Sequence, residues 1–205
     1  MIVGWLPLYL RSRYAATAVI ASLAAAAVVL ALWVIWSDDA QVRPDLATLT
    51  VLAVLAPWIR TLAGHDADLE KTAAMPWPPR RVLHLLSVGV VVAGVLLSAE
   101  VVGIHFGAMG QILRNSAGLA GLIGLCAALF GTGLAPIPTT IWVAVQAFAG
   151  ATGGPVWRQS LFWMMQPAGN KPAAVTAAVL FLAGAIAYAL RVGPPRPPSE
   201  ATMEQ

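Results

Sequence analysis

The sequence predicts an all-α membrane protein with six transmembrane helices, and three observations support this fold class. Apolar residue types make up 59% of the 205 residues and charged types 10%, and the mean hydropathy is +0.78. A soluble domain is about 45–50% apolar and about 25% charged, so this chain has too few charges to cover a globule in water. The chain also contains long uncharged runs of the roughly 20 residues that a helix needs to cross a bilayer. The alternating ten-residue pattern of a membrane barrel is absent from the sequence.

The residue pattern also excludes several classes of function. The net charge is +3, but the Lys and Arg residues are scattered, so we expect no nucleic-acid partner. Cys126, the single cysteine, lies in an apolar run and is interpreted as a packing residue. The sequence contains no phosphate-binding loop of the P-loop type and no His-Glu-x-x-His pattern. We therefore expect a chain that is not an enzyme, with no metal, cofactor or catalytic residue of its own.

The predicted domain organisation has three parts. Residues 1–14 are an N-terminal interfacial segment, in which Trp5, Leu6 and Arg11 suit a short helix lying in the membrane interface; a frayed terminus is the alternative. Residues 15–192 form the transmembrane domain. Residues 193–205 are a Pro-rich cytoplasmic tail.

The six predicted spans cover about residues 15–36, 46–63, 82–102, 117–133, 136–152 and 172–190. The first is too long for a signal peptide and ends in interfacial tryptophans. Pro57 lies inside the second. His105 to Ser116 is predicted to be a link, and Gly131 to Pro138 separates spans four and five.

The basic residues predict the orientation of these spans, because loops rich in Lys and Arg tend to stay in the cytoplasm. With six spans both termini lie on one side. If that side is cytoplasmic, the inner residues are Arg11, Arg13, Arg60, Lys71, Arg80, Arg81, Arg191 and Arg196, and the outer ones are Arg43, Arg114, Arg158 and Lys171. Eight basic residues inside against four outside agree with the tendency of basic loops to stay in the cytoplasm. We therefore expect a multi-pass protein of a prokaryotic plasma membrane.

The one long charged segment, Gly64 to Arg81, lies between spans two and three. Asp66 or Asp68 can cap a short helix, and Pro76 ends it. The sequence therefore predicts a short, rigid helix across the cytoplasmic ends of the two spans, and an ordinary solvated loop is the alternative.

This segment is similar to one in the permease subunits of ABC-2-type transporters. The run Leu69-Glu70, five further residues, Pro76, then Arg80-Arg81 and Val82-Leu83 resembles the family's segment between spans two and three. The six-span plan, the N-terminal interfacial elbow and the link before span six also match, while Ala67-Asp68 stands where the family often has Gly-Thr. In that family the segment is the coupling helix, which docks into a cleft on a separate ATPase subunit.

The resemblance implies a transporter built from two membrane subunits and two ATP-binding subunits, which supply ATP and Mg. The second permease subunit would be the same chain or a different one. The implied contacts with the ATPase are Leu69, Glu70, Met75, Pro76, Trp77, Arg80 and Arg81.

Two further sets of candidate residues lie towards the predicted outer side. Glu100 is the acidic residue within a span; it is interpreted as a partner of His105 or Arg114, with a place on a substrate path as the alternative. Val156 to Met165 predicts an interfacial or re-entrant helix, with an ordinary loop as the alternative. Its apolar face would consist of Trp157, Leu161, Met164 and Met165.

From these observations we expect the membrane subunit of an ATP-driven exporter that moves an amphipathic or lipid-like substrate such as a drug, a peptide or a lipid. A non-transporting immunity or regulatory anchor and a secondary transporter are the alternatives.

Overall fold

The computed structural model describes residues 14–62 and 77–190. This part of the chain is helical and contains no strand. Its α-helices, in order, are α1 (Ala15–Trp36), α2 (Pro44–Leu55), α3 (Trp77–Leu97), α4 (Met109–Phe130), α5 (Pro136–Ala149), α6 (Val156–Leu161) and α7 (Lys171–Leu190). The predicted interfacial helix, the segment 63–76 and the tail from residue 191 lie outside the described residues.

Five helical stretches are long and apolar enough to cross a membrane, in agreement with a multi-pass helical membrane protein. They are Ala15–Trp36, Pro44–Leu62, Pro78–Val102, Met109–Phe130 and Lys171–Leu190. The helix at the position of the predicted fifth span, α5, has 14 residues. At 1.5 Å per residue it is about 21 Å long, which is less than the roughly 30 Å of a hydrocarbon core.

Proline determines how the second stretch begins and continues. Pro44 occupies the first turn of α2, where its missing N–H has no helical partner to lose. Pro57 lies just beyond the end of α2, and the chain continues there as a 3-10 helix, Ala56–Leu62. The run of apolar residues therefore remains helical past the proline, but with tighter geometry over its last seven residues. A second 3-10 helix, Ser98–Val102, extends α3 in the same way.

Helix α4 begins earlier than the span predicted at residues 117–133. Its first residue is Met109, so Arg114 lies within the helix and not in a link. Arg114 is buried, and its polar neighbours Asn115 and Ser116 are buried with it. The side chains of Arg114 and Asn115 bond to other parts of the chain and so do not interrupt the helix, which explains the difference.

Helix α5 ends earlier than the predicted span at residues 136–152, and the chain then folds back as a hairpin. Gly150 has extended backbone angles, and its N–H bonds to the Gln146 carbonyl. The short helix α6 follows, and a 3-10 turn, Trp163–Met165, leads towards α7. We refer to residues 150–170 as the hairpin.

The tightest helix packing is between α4 and α7. Gly121 of α4 faces Gly184 of α7 across this contact, and a Cβ at Gly121 would overlap the backbone of Phe181. Small residues allow membrane helices to approach this closely. The resulting van der Waals contact matters in a bilayer, because lipid supplies little hydrophobic driving force for helices to associate. Gly118 and Gly124 of the same helix are also closely packed, against Trp163 and Leu85.

The ends of the helices alternate between the two ends of the bundle. At one end, the link after α1 is bonded to the link before α4, where the Val42 N–H donates to the His105 carbonyl and the His105 N–H donates to the Ala40 carbonyl. At the other end, Arg60 and Gly133 line one crevice, and Tyr14 and Arg60 line another. The first and last described residues therefore lie at the same end as residues 62 and 77.

Candidate functional site

Four of the seven residues predicted to contact an ATPase lie outside the described residues, namely Leu69, Glu70, Met75 and Pro76. The other three belong to the first turns of α3. Trp77 is its first residue, Arg80 is half-buried and Arg81 is buried. The structure thus describes the two helix ends that flank residues 63–76.

A buried hydrogen bond joins these two helix ends. Thr61 Oγ1, near the end of the 3-10 helix, lies 2.9 Å from His84 Nε2 of α3. The single hydroxyl proton of Thr61 goes to the Trp58 carbonyl oxygen at 2.7 Å, so His84 Nε2 carries a proton and donates to Thr61. Both residues are at most 4% exposed. In a membrane interior such a bond has no water to compete for it.

Two further bonds tie this pair of ends to the end of α7. Tyr188 Oη donates to the Leu62 carbonyl oxygen at 2.9 Å. An Arg81 Nη donates to the Ala189 carbonyl oxygen at 3.4 Å. Three helix ends are therefore held together, namely the end of the 3-10 helix at Leu62, the start of α3 and the end of α7. We refer to four side chains as the flank cluster: Thr61, Arg81, His84 and Tyr188.

Helix α1 is bonded to the same region through a tryptophan. Trp58 Nε1 donates to Ser22 Oγ at 2.9 Å, and Ser22 Oγ donates to the Val54 carbonyl oxygen at 2.6 Å. Ser22 is fully buried. Trp58 therefore anchors the 3-10 helix to α1.

At the opposite end of the bundle, Arg114 holds the hairpin. Its two Nη atoms donate to the carbonyl oxygens of Gln166 at 2.6 Å and Pro167 at 2.9 Å. Its Nε donates to the side-chain oxygen of Asn115 at 3.1 Å. Arg114 is 8% exposed. Its guanidinium thus provides hydrogen-bond donors to two carbonyl oxygens that have no partner in a helix or strand.

Three amide side chains complete this anchoring. Asn115 donates to the Met164 carbonyl at 2.9 Å, and Gln146 of α5 bonds to the Leu161 carbonyl. Gln166 accepts from the Gly153 N–H and donates to the Ala151 carbonyl, both at 2.9 Å. Because the hairpin has little regular structure, these side chains provide the partners that its backbone requires.

The residues of the predicted interfacial helix do not form one apolar face. The helix stops at Leu161, and Phe162 departs from helical angles. Trp157 is 66% exposed, whereas Met164 is fully buried; Leu161 is exposed and Met165 half-buried. The largest fully buried side chain here is Trp163, which packs against Gly118 of α4.

Glu100 and His105 are both exposed at this same end of the bundle. Arg114, one of the two predicted partners of Glu100, bonds to carbonyl oxygens of the hairpin and to Asn115. Within the described ranges, Arg43 and Asp45 form an ion pair, with 3.0 Å between Arg43 Nη2 and Asp45 Oδ2. Within those same ranges, no three His, Cys, Asp or Glu residues are grouped to hold a metal ion.

Sequence reasoning did not identify the flank cluster or the role of the amide side chains. His84 and Tyr188 lie in apolar runs, and nothing local indicates that they meet the end of another helix. One pattern in the sequence could have indicated these residues. Gln146, Arg114 and Asn115 are polar residues in or beside long apolar stretches, where each polar group needs a hydrogen-bond partner.

No protein-family model, no curated protein and no solved structure matches this chain.

Proposed function

We propose that this chain is the membrane-spanning permease subunit of an ATP-driven exporter of the ABC-2 type, and that it moves an amphipathic or lipid-like substrate across a prokaryotic plasma membrane. ATP and Mg bind to a partner subunit, of which the assembly contains two copies. A second permease subunit, identical or different, completes the transporter. Residues 63–76 dock onto the ATPase.

The observation that carries this proposal is the flank cluster. A segment that transmits movement from an ATPase must be attached to helices that move as a unit, because a flexible attachment would absorb the movement. The two ends that flank residues 63–76 are bonded to each other through Thr61 and His84. Tyr188 bonds them to α7. This arrangement supports a role for the segment as a coupling element.

The helix arrangement supports the proposed six crossings. In this proposal α5 and the hairpin together form the fifth crossing: α5 covers about 21 Å, and the hairpin fills the remaining depth. Arg114 and three amide side chains provide the bonds that irregular backbone needs inside a membrane. Both termini are then cytoplasmic, on the side of Arg60, Arg80 and Arg81.

The alternatives are less well supported by the described residues. A secondary transporter usually has ionisable groups along a pathway, but Arg114 is engaged in holding the hairpin. An immunity or regulatory anchor needs no rigid support for residues 63–76.

The proposal is tested by purifying the chain from its native host and identifying the proteins that copurify. We expect an ATPase with a phosphate-binding loop. Leu69→Asp removes an apolar anchor, and anchors at the centre of an interface often contribute about 2 kcal/mol or more, which corresponds to a roughly thirtyfold weaker association. The ATPase should then be lost.

The matched control is Ala67→Asp, which adds the same charge two residues earlier. It should retain the ATPase, and both variants should insert normally in the membrane because neither changes a span. Retention of the ATPase by Leu69→Asp would contradict docking through this segment.

A further inference from the structure

Arg60 lies between two crevices at the end of the bundle that contains the flank cluster. It belongs to the 3-10 helix Ala56–Leu62 and is exposed. A crevice of about 530 Å³ separates this helix from α1, and Arg60 is part of its wall. A second crevice of about 440 Å³ lies towards the turn between α4 and α5, and Arg60 borders it as well.

The side chain of Arg60 has no hydrogen bond or ion pair with any residue in the described ranges, unlike the side chains of Arg43 and Arg114. Arg43 is paired with Asp45, and Arg114 bonds to three oxygen atoms. An unpaired guanidinium beside lipid-exposed helices favours an anionic partner, and it binds phosphate oxygens with a fork of N–H donors.

The charge distribution of the described residues favours an anion at this end. Arg60, Arg80 and Arg81 lie here, whereas the acidic side chains of the described ranges all lie at the opposite end, namely Asp38, Asp39, Asp45 and Glu100. Basic pockets between transmembrane helices are typical sites for anionic lipid head groups.

The walls of the crevice beside α1 suit an acyl chain. Besides Arg60, it is lined by Tyr14, Thr17, Ala18, Ala21, Pro57 and Thr61. The Thr17 hydroxyl donates to the Tyr14 carbonyl, and the Thr61 hydroxyl donates to the Trp58 carbonyl. Both threonine hydroxyls are therefore satisfied within the chain, so the part of the wall that they form with Ala18, Ala21 and Pro57 is largely apolar. Its volume lies within the roughly 300–1,000 Å³ of ordinary ligand pockets.

We propose that this crevice binds an anionic phospholipid, with the phosphate on Arg60 and one acyl chain between α1 and the 3-10 helix. The bound lipid fills the space next to Trp58, which joins the two helices through Ser22. The site is independent of the proposed transport function, because it needs neither an ATPase nor a substrate.

The test uses the purified full chain in detergent, mixed with equal amounts of phosphatidylglycerol and phosphatidylcholine. Native mass spectrometry counts the lipids that remain bound. We expect phosphatidylglycerol to bind preferentially to the wild-type chain. Arg60→Gln should reduce its occupancy about fivefold, in line with about 1 kcal/mol for one basic residue near anionic lipid. Arg60→Lys should retain most of the binding.

Two controls separate this site from general attraction to a basic protein. Arg158→Gln makes the same change at the opposite end of the bundle and should leave phosphatidylglycerol binding unchanged. Ala21→Phe fills the crevice and should reduce binding, whereas Ala24→Phe, on the same helix but outside the lining, should not.

Equal binding of the two lipids by the wild-type chain would overturn the proposal. So would equal losses in Arg60→Gln and Arg158→Gln. Loss of binding in Arg60→Gln with full binding in Ala21→Phe would overturn the proposed position of the acyl chain.

Discussion

Arg114 illustrates how single polar residues determine structure in this chain. From the sequence alone, an arginine next to an apolar run is interpreted as a residue of a loop between spans or as one partner of an ion pair. Here its guanidinium donates hydrogen bonds to two carbonyl oxygens of the hairpin, which lie 52 and 53 residues further along the chain. Sequence reasoning could indicate that Arg114 needs a partner, but the partner depends on how the hairpin folds back, which no local pattern specifies.

At this scale we predict that Arg114→Met destabilises the protein and loosens the hairpin. Two backbone carbonyls lose charged donors, and a buried unsatisfied group costs about 1–3 kcal/mol. The melting temperature should fall, and hydrogen exchange should increase in residues 150–167. Arg158→Met is the control, because Arg158 is half-buried and its side chain makes no bond to the described residues. Equal melting temperatures for the two variants would contradict the role assigned to Arg114.

Helices and their bounds were the most predictable elements. The uncharged runs predicted helices that the structure places at Ala15–Trp36, Pro44–Leu62, Pro78–Val102 and Lys171–Leu190. The ends of α4 and α5 were less predictable, because buried polar residues at the start of α4 resemble a link. The hairpin was predictable only as an apolar segment before the last span. Its break at Phe162 depends on tertiary contacts of Trp163 with α4.

At the scale of elements, the contact between α4 and α7 gives a sharp prediction. Gly121→Ala places a Cβ where it overlaps the backbone of Phe181, and overpacking of a tight contact typically costs about 1–3 kcal/mol. We expect a lower melting temperature in detergent. Gly94→Ala is the matched control, because a Cβ there meets no atom within 4 Å and alanine favours helix over glycine. A Gly121→Ala protein as stable as Gly94→Ala would mean that the two helices are not packed as described.

On the scale of the whole molecule, the end of the 3-10 helix at Leu62 meets the start of α3 and the end of α7, and the hairpin lies at the opposite end of the bundle. The class of a helical membrane protein followed from composition and from the long uncharged runs, since a chain with 10% charged residues cannot cover itself in water. The candidate site was predictable only in part. Its motif residues stood out in the sequence, but the flank cluster brings Thr61, His84 and Tyr188 together across up to 127 residues of chain.

The proposed docking of residues 63–76 onto an ATPase is tested most directly by photo-cross-linking in intact cells of the native host. A benzophenone amino acid replaces Leu69 in one variant and Asp39, at the opposite end of the bundle, in the other. Mass spectrometry then identifies the cross-linked partner. We predict that position 69 cross-links to a protein with a phosphate-binding loop and that position 39 does not. Cross-linking of position 69 to lipid or to proteins without such a loop, with none to an ATPase, would contradict the account.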